Sequence, residues 1–369
     1  MPMPRLRTAL DSLASYRPTD RTRGHHHLRP LSANESAHRS LPPVIAAVAE
    51  AGLDIHRYPD PGCAELTREL ARRHGVDQGR VLVGAGSLAL LQALFQAAGE
   101  PGAEVVYAWR SFELYPVLAD LAWMRSVRVP LNDETHDLAA MATRITDATR
   151  LVLICNPNNP TGTVVGGDAL QAFLDRVPPT CLVALDEAYV EYVGEPRVSS
   201  GLRLCDAYPN LVVLRTFSKA YGLAGLRVGY LVGAVDLVTQ LRKACLAYAV
   251  NSVAQRAALA ALGIEQELLR QVATTVAERQ RIRKALLADG WDVPDCQGNF
   301  LWLRLGENSA AFGRWCLDAG IAVRVFDGEG IRVSIGAAPD NDAFRAAAQQ
   351  WREKPPAVTA GALTDRCGA

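Results

Sequence analysis

The sequence lacks any apolar run approaching the ~20 residues that a membrane-spanning helix requires. Met1 to Asp11 lacks the apolar stretch of a secretory signal. There is no CxxC pair and no zinc-ligand spacing. The eight cysteines stand singly along 369 residues, which reads as reduced, mostly buried thiols in a cytoplasmic protein. Net charge is missing too, with 39 basic side chains against 39 acidic ones. No global field favours nucleic acid or a membrane surface, so small-molecule partners are expected. No internal repeat is present.

What is there is ordinary in composition. Hydrophobic residues make up 49% and charged residues 21%, as in soluble globular proteins. The length suits a large domain plus a smaller one. Residues 1–33 are rich in Arg, Pro, Ser and Thr and read as an extended arm. His25-His26-His27 lies in it beside Arg23 and Arg29, which reads as a solvated stretch rather than a metal cluster. Residues 34–250 read as the large domain, 251–354 as a small C-terminal domain and 355–369 as a loose tail.

Within the large domain, short apolar strands alternate with helices. This pattern predicts a mostly parallel, doubly wound sheet, on which ligands sit beyond the strand C-terminal ends. Strands are expected at 81–84, 104–108, 126–130, 151–155, 182–185 and 211–214. Helices are expected at 64–75, 88–98, 138–145 and 167–176. After Gly229–Val232 the pattern changes. Long helices are expected at 235–248 and 252–288, strands at 299–304, 321–325 and 330–335, and helices at 308–318 and 340–352, an α+β arrangement.

Chemistry-bearing residues fall where those strands end. Arg215-Thr216-Phe217-Ser218-Lys219 leaves a strand on hydroxyls and a lysine, and a glycine-broken loop then leads to Arg227. Lys219 suits a Schiff-base role. Thr216, Ser218 and Arg227 suit a phosphate. Gly86 and Ser87 open a helix whose N-terminal N–H groups suit the same anion. Phe112 follows one strand, Asn159 follows another within Asn156-Pro157-Asn158-Asn159-Pro160-Thr161-Gly162, and Asp186 ends a third. A buried strand-end carboxylate is costly without a partner. Each residue alone has a bland alternative, as a cap, a turn former or a core aromatic. Five such residues at one sheet edge, Ser87, Phe112, Asn159, Asp186 and Lys219, are hard to ascribe to packing.

Together they describe a pyridoxal-phosphate site. Lys219 would bind the cofactor aldehyde and move the substrate proton, and Asp186 would pair with the pyridine nitrogen. Asn159 and Tyr189 would meet the ring oxygen, Phe112 would stack on the ring, and Gly86, Ser87, Ser218 and Arg227 would hold the phosphate.

On Asn156–Gly162, Asp186-Glu187-Ala188-Tyr189 and Ser218–Arg227, the chain resembles the fold type I pyridoxal-phosphate aminotransferases. Within them it is similar to the histidinol-phosphate/aromatic aminotransferase family, from about residue 30 to about 352. The segment Ala108–Pro116 resembles the aromatic branch from actinobacteria. The resemblance implies a homodimer in which Tyr58, in Tyr58-Pro59-Asp60, reaches the neighbouring subunit's phosphate. It implies that Arg332, in Gly330-Ile331-Arg332-Val333-Ser334, binds the substrate α-carboxylate, and that Asn34 belongs to the substrate site. Tyr16, Arg324 and Arg110 are candidates to meet the substrate side chain. The chain departs from the family pattern at Tyr16-Arg17-Pro18-Thr19, at Ala85 and at Leu88-Ala89.

The implied activity is ping-pong transamination between an aromatic or imidazole-type amino acid and a 2-oxo acid such as 2-oxoglutarate. Its alternatives are transamination of a non-proteinogenic amino acid and, less favoured, pyridoxal-phosphate lyase or decarboxylase chemistry. A cofactor-free binding module would leave Asp186, Lys219 and Arg227 without a role.

Overall fold

The computed structural model describes residues 28–353, together with Arg7, Leu10 and Leu13. The His25–His27 stretch, Tyr16 and the 355–369 tail lie outside the described residues.

The strands are β1 (Arg29–Pro30), β2 (Val81–Gly84), β3 (Glu104–Trp109), β4 (Arg125–Pro130), β5 (Thr149–Cys155) and β6 (Leu182–Asp186). They continue as β7 (Leu211–Thr216), β8 (Gly229–Val232), β9 (Phe300–Arg304), β10 (Ile321–Ala322), β11 (Arg324–Phe326) and β12 (Gly330–Ser334). Seven form one sheet in the order β2-β8-β7-β6-β5-β3-β4. Neighbours from β7 through β4 run parallel. β8 alone runs antiparallel, to both β7 and β2. The C-terminal ends of β2, β3, β5, β6 and β7 therefore share one edge with the start of β8.

The apolar runs alternate between the two faces of this sheet. Leu151, Leu153, Val212 and Leu214 pack on one side with Leu90, Leu94 and Phe95 of the helix Gly86–Ala98. Val152, Ile154, Leu211 and Val213 pack on the other with Leu170 and Phe173 of the helix Gly167–Leu174. Burial on both faces is why these strands read as continuous apolar runs rather than as alternating ones.

The C-terminal part has an antiparallel sheet, β11-β12-β9, covered by the helices Ser309–Asp318 and Ala338–Glu353 through Phe312, Cys316 and Phe344. Three expectations change here. The single helix at 252–288 is two, Ser252–Gly263 and Glu265–Ala288, because Ile264 leaves helical geometry at φ −119°, ψ 28°. The helix expected at 235–248 stops at Arg242, and Tyr248 beyond it sits at φ +60°, where a helix cannot continue. The strand expected at 321–325 divides at Val323. Its first half, β10, pairs parallel with β1, and its second, β11, pairs antiparallel with β12.

That β1–β10 pairing changes the reading of the arm. Arg29 and Pro30 are sheet residues, and Leu31 is 1% exposed within the C-terminal core. The Leu31 N–H donates to the Ala322 carbonyl at 3.0 Å, and the Ser334 N–H donates to the Leu31 carbonyl at 2.8 Å. Sequence separation hid this: the partner strands lie about three hundred residues away.

If Leu31 is core, Leu31→Ala costs about 2–5 kcal/mol, the range for emptying a buried leucine site. Thermal unfolding followed by circular dichroism is expected to show a clear drop in midpoint. An unchanged midpoint would return this stretch to a loose arm.

Candidate active site

The shared edge of the large sheet opens into a cleft of about 560 Å³, closed on its far side by β12. Lys219, Asp186, Asn159, Tyr189, Phe112 and Arg332 all line it, as do Ser87, Thr216, Ser218 and Arg227.

One end of the cleft is built for an anion. Gly86 has φ +79°, a conformation glycine adopts without strain, and a Cβ there would lie 2.5 Å from Arg227 Nη2. The missing side chain therefore lets the guanidinium sit against the start of a thirteen-residue helix. Arg227 itself is left-handed at φ +56°. Its Nη1 donates to Ser218 Oγ at 3.2 Å and to the Ala224 carbonyl at 3.1 Å. Gly229 completes the arrangement, since a Cβ there would lie 2.7 Å from the Ser87 nitrogen. Helix N–H groups, a hydroxyl and a guanidinium converge, as a phosphate requires.

The middle holds a buried acid. Asp186 is 6% exposed. Among the described residues, the donors to its oxygens are the Ala188 N–H at 3.2 Å and the Tyr115 hydroxyl at 3.4 Å. Burial raises its carboxyl to about 6, against the pull of those two donors. A buried carboxylate held by two long hydrogen bonds is under-compensated, and a cation facing it from the cleft would remove the cost. This donor set fits a protonated pyridine ring carrying a phosphate.

Lys219 faces the same space. Its Nζ donates to the carbonyls of Ala33 and Asn34, each at 3.1 Å. Burial pushes the amine down to about 7, and the positive charges of Arg332 and Arg227 push the same way, against Glu35 and Asp186. A large fraction is then the neutral, nucleophilic amine near pH 7.

The far side is fixed by residues remote in sequence. Arg332 Nη1 donates to Asn159 Oδ1 at 2.5 Å and Nη2 to the Ser32 carbonyl at 2.7 Å. Asn34 is fully buried. Its Nδ2 donates to the Tyr189 hydroxyl at 3.0 Å, and Ser334 Oγ donates to its Oδ1 at 2.8 Å. Burial pushes the Tyr189 phenol up to about 12, so it remains protonated. Asn158 holds the loop that carries Asn159: its Oδ1 accepts from Ser111 Oγ at 2.7 Å and lies 3.1 Å from His136 Nε2.

Of the expected residues that are described, Gly86, Asn34, Tyr58, Arg110 and Arg324 are not among those lining the cleft, though Gly86 lies against Arg227 and Asn34 bonds Tyr189, which do. Tyr58 is 85% exposed, with its ring 4.9 Å from that of Tyr248. Arg324, on β11, donates to Glu113. Tyr16 falls outside the described residues. The sequence reading missed the carbonyls of Ala33 and Asn34, which only folding brings to Lys219. It also assigned nothing to Tyr115, Ser334 or Glu113. A signal existed for Ser334, two residues past Arg332 and hence on the same strand face.

The family model for aminotransferase class I and II matches residues 27–350. An aromatic amino acid aminotransferase of Thermobifida fusca (strain YX) is 56% identical over 352 residues, covering 95% of this chain and 98% of that protein. One from Streptomyces coelicolor (strain ATCC BAA-471 / A3(2) / M145) is 46% identical over 353 residues, with 95% and 98% covered. Among solved structures, the histidinol-phosphate aminotransferase of Sinorhizobium meliloti in complex with pyridoxal-5'-phosphate superposes with a TM-score of 0.87 at 28% identity, covering 95% of this chain and 98% of that one.

The Lys219 titration is directly measurable. The chain has four lysines, Lys219, Lys243, Lys284 and Lys354. Amine acylation of the ligand-free protein, read peptide by peptide by mass spectrometry, is expected to rise with a midpoint near pH 7 at Lys219 and near 10 at an exposed lysine. Between those values the unfolded chain carries a proton that the folded chain lacks, so this group makes stability rise with pH. Lys219→Met is expected to remove that slope. A Lys219 midpoint near 10 would contradict the burial argument.

Proposed function

The chain belongs to the class I and II aminotransferases, and from that premise we propose that it moves the amino group between an aromatic amino acid and a 2-oxo acid such as 2-oxoglutarate. The observation that carries the proposal is the placement of Lys219, Asp186, Asn159 and Arg332 around one cleft. The relatives at 46% and 56% identity support the aromatic side chain. They also favour transamination over the lyase alternative.

Pyridoxal phosphate, when bound, supplies an aldehyde that condenses with amines and a cationic ring that draws electrons from the substrate Cα. In this proposal Arg227, Ser218, Thr216 and the N–H groups at Gly86 and Ser87 hold its phosphate. Tyr58 of a second copy reaches the same group, which makes the active form a homodimer. The extreme exposure of Tyr58 within one chain suits that role. Asp186, costly to bury as a bare anion, keeps the ring nitrogen protonated. Asn159 and the protonated Tyr189 donate to the ring oxygen, and Phe112 covers one ring face.

Lys219 then has two tasks. Its partly neutral amine would hold the cofactor through the aldehyde, and its Nζ would carry the substrate Cα proton. The Ala33 and Asn34 carbonyls aim it. Arg332 offers two coplanar donors to the α-carboxylate, and Asn34 lies beside that position with Tyr189. Tyr16 and Arg324 are assigned to the substrate side-chain end. The division into a large domain through about residue 250 and a small C-terminal domain belongs to the same proposal, with β1 attached to the small one.

Purified protein is expected to show the visible absorbance of bound pyridoxal phosphate, and Lys219→Ala to lose both that band and turnover. Persistence of the band in the variant would exclude the assigned role. Across a panel of 2-oxo acids, phenylpyruvate is expected to turn over faster than imidazole-acetol phosphate; the reverse order would move the assignment to the imidazole branch. Tyr58→Phe is expected to weaken cofactor affinity by about tenfold, the worth of one hydrogen bond to a charged group, measured by equilibrium dialysis. Unchanged affinity would remove Tyr58 from the phosphate.

A further inference from the structure

Glu113 follows Phe112 directly and lines the cleft. Its carboxylate accepts a hydrogen bond from Arg324 Nη2, and the two side chains are 24% and 17% exposed. Arg324 is the cross-strand partner of Arg332 in the β11–β12 register. Paired positions on neighbouring strands send their side chains to the same sheet face. Arg324 therefore leaves its strand on the side from which Arg332 enters the cleft. Arg332 is directed at Asn159 and the Ser32 carbonyl, where the substrate α-carboxylate is assigned. Arg324 is the neighbouring cation, and Glu113 neutralises it.

We propose that Glu113 determines side-chain specificity: by pairing with Arg324 it makes the site favour uncharged aromatic side chains over side chains ending in a carboxylate or phosphate. The proposal rests on the transamination reading above. An anionic side chain reaching for Arg324 has to displace Glu113, leaving that carboxylate without its partner in a largely buried position. An uncharged aromatic side chain leaves the pair closed and meets no such cost. Specificity of this kind comes from a penalty on the wrong ligand rather than from a contact with the right one.

A parallel ion pair provides the control. Arg110 Nε donates to Glu329 Oε2 at 2.7 Å, joining the β3 end to the β11–β12 turn as Arg324–Glu113 joins the same two regions. Neither Arg110 nor Arg324 is itself among the cleft-lining residues, but Arg110 lies over the Trp109 ring at 4.1 Å and only Arg324 shares a register position with Arg332. Loss of the Arg110–Glu329 pair therefore loosens the same boundary without freeing the cation beside Arg332.

The experiment uses cofactor-loaded protein and two unreactive ligands, 3-phenylpropionate and glutarate, with binding measured by calorimetry. Glu113→Gln keeps the shape and removes the charge. It is expected to tighten glutarate about tenfold, the worth of one charge-assisted hydrogen bond, while 3-phenylpropionate stays within about twofold. Arg324→Gln is expected to weaken glutarate alone. Glu329→Gln is expected to change neither. In steady-state kinetics, Glu113→Gln is expected to lower KM for the dicarboxylic partner while kcat and KM for phenylalanine hold. Glutarate binding that is unchanged or weaker in Glu113→Gln overturns the proposal. So does equal weakening of both ligands in Glu113→Gln and Glu329→Gln, which would make the pair a clasp between the two regions. Failure of the parent reading looks different: it removes the Lys219-dependent visible band from the unmodified protein, before any variant at Glu113 is compared.

Discussion

A carboxylate buried at the end of a parallel strand has to be compensated, and the rest of this structure is arranged around how Asp186 is left. Its two hydrogen bonds, from the Ala188 N–H and the Tyr115 hydroxyl, are long, and burial raises its pKa to about 6. Lys219 shares the cleft and suffers the opposite shift, to about 7, for the same reason. Exclusion of water disfavours the charged form of both the acid and the amine. A bound cationic ring would restore the acid, and covalent capture would use the amine. The apolar sheet behind them makes that exclusion possible, with Leu214, Leu185 and Ile154 fully buried.

The second constraint is that the cleft is closed by chain ends that the sheet does not contain. Ser32 and Asn34 precede the large sheet and Arg332 and Ser334 follow it by about a hundred residues; Arg332 bonds Asn159 and Ser32, and Asn34 bonds Tyr189 and Ser334. The β1–β10 pairing carries the N-terminal stretch onto the C-terminal part, so the carbonyls that bond Lys219 and the carbonyl that bonds Arg332 lie in one short segment, residues 32–34.

Much of the large domain was legible because its strands are buried on both faces. Leu151 to Cys155 and Leu211 to Leu214 leave no competing periodicity. Asp186, at the end of the run from Leu182, could be picked out for the cost of burying a carboxylate, and Lys219 and Arg227 for their chemistry just beyond a strand end. The C-terminal part was less legible. Val323 splits a run that reads as one strand, and Ile264 breaks a run that reads as one helix. At Val323 pairing with β1 on one side and β12 on the other overrides the local pattern. Glu113 was invisible for a related reason: a lone glutamate beside a phenylalanine acquires meaning only when Arg324 is brought against it.

The sequence by itself determined the alternation of strands and helices, the edge at which reactive groups gather and the identity of those groups. These depend on local hydrophobic pattern and on side-chain chemistry, which a chain carries wherever it goes. Tertiary structure decided which backbone carbonyls hold the lysine, that residues 29–31 attach to the C-terminal part with Leu31 in its core, and that one arginine is directed at Asn159 while its strand neighbour is neutralised. Those outcomes depend on distances between segments up to about three hundred residues apart, and only the folded chain sets such distances.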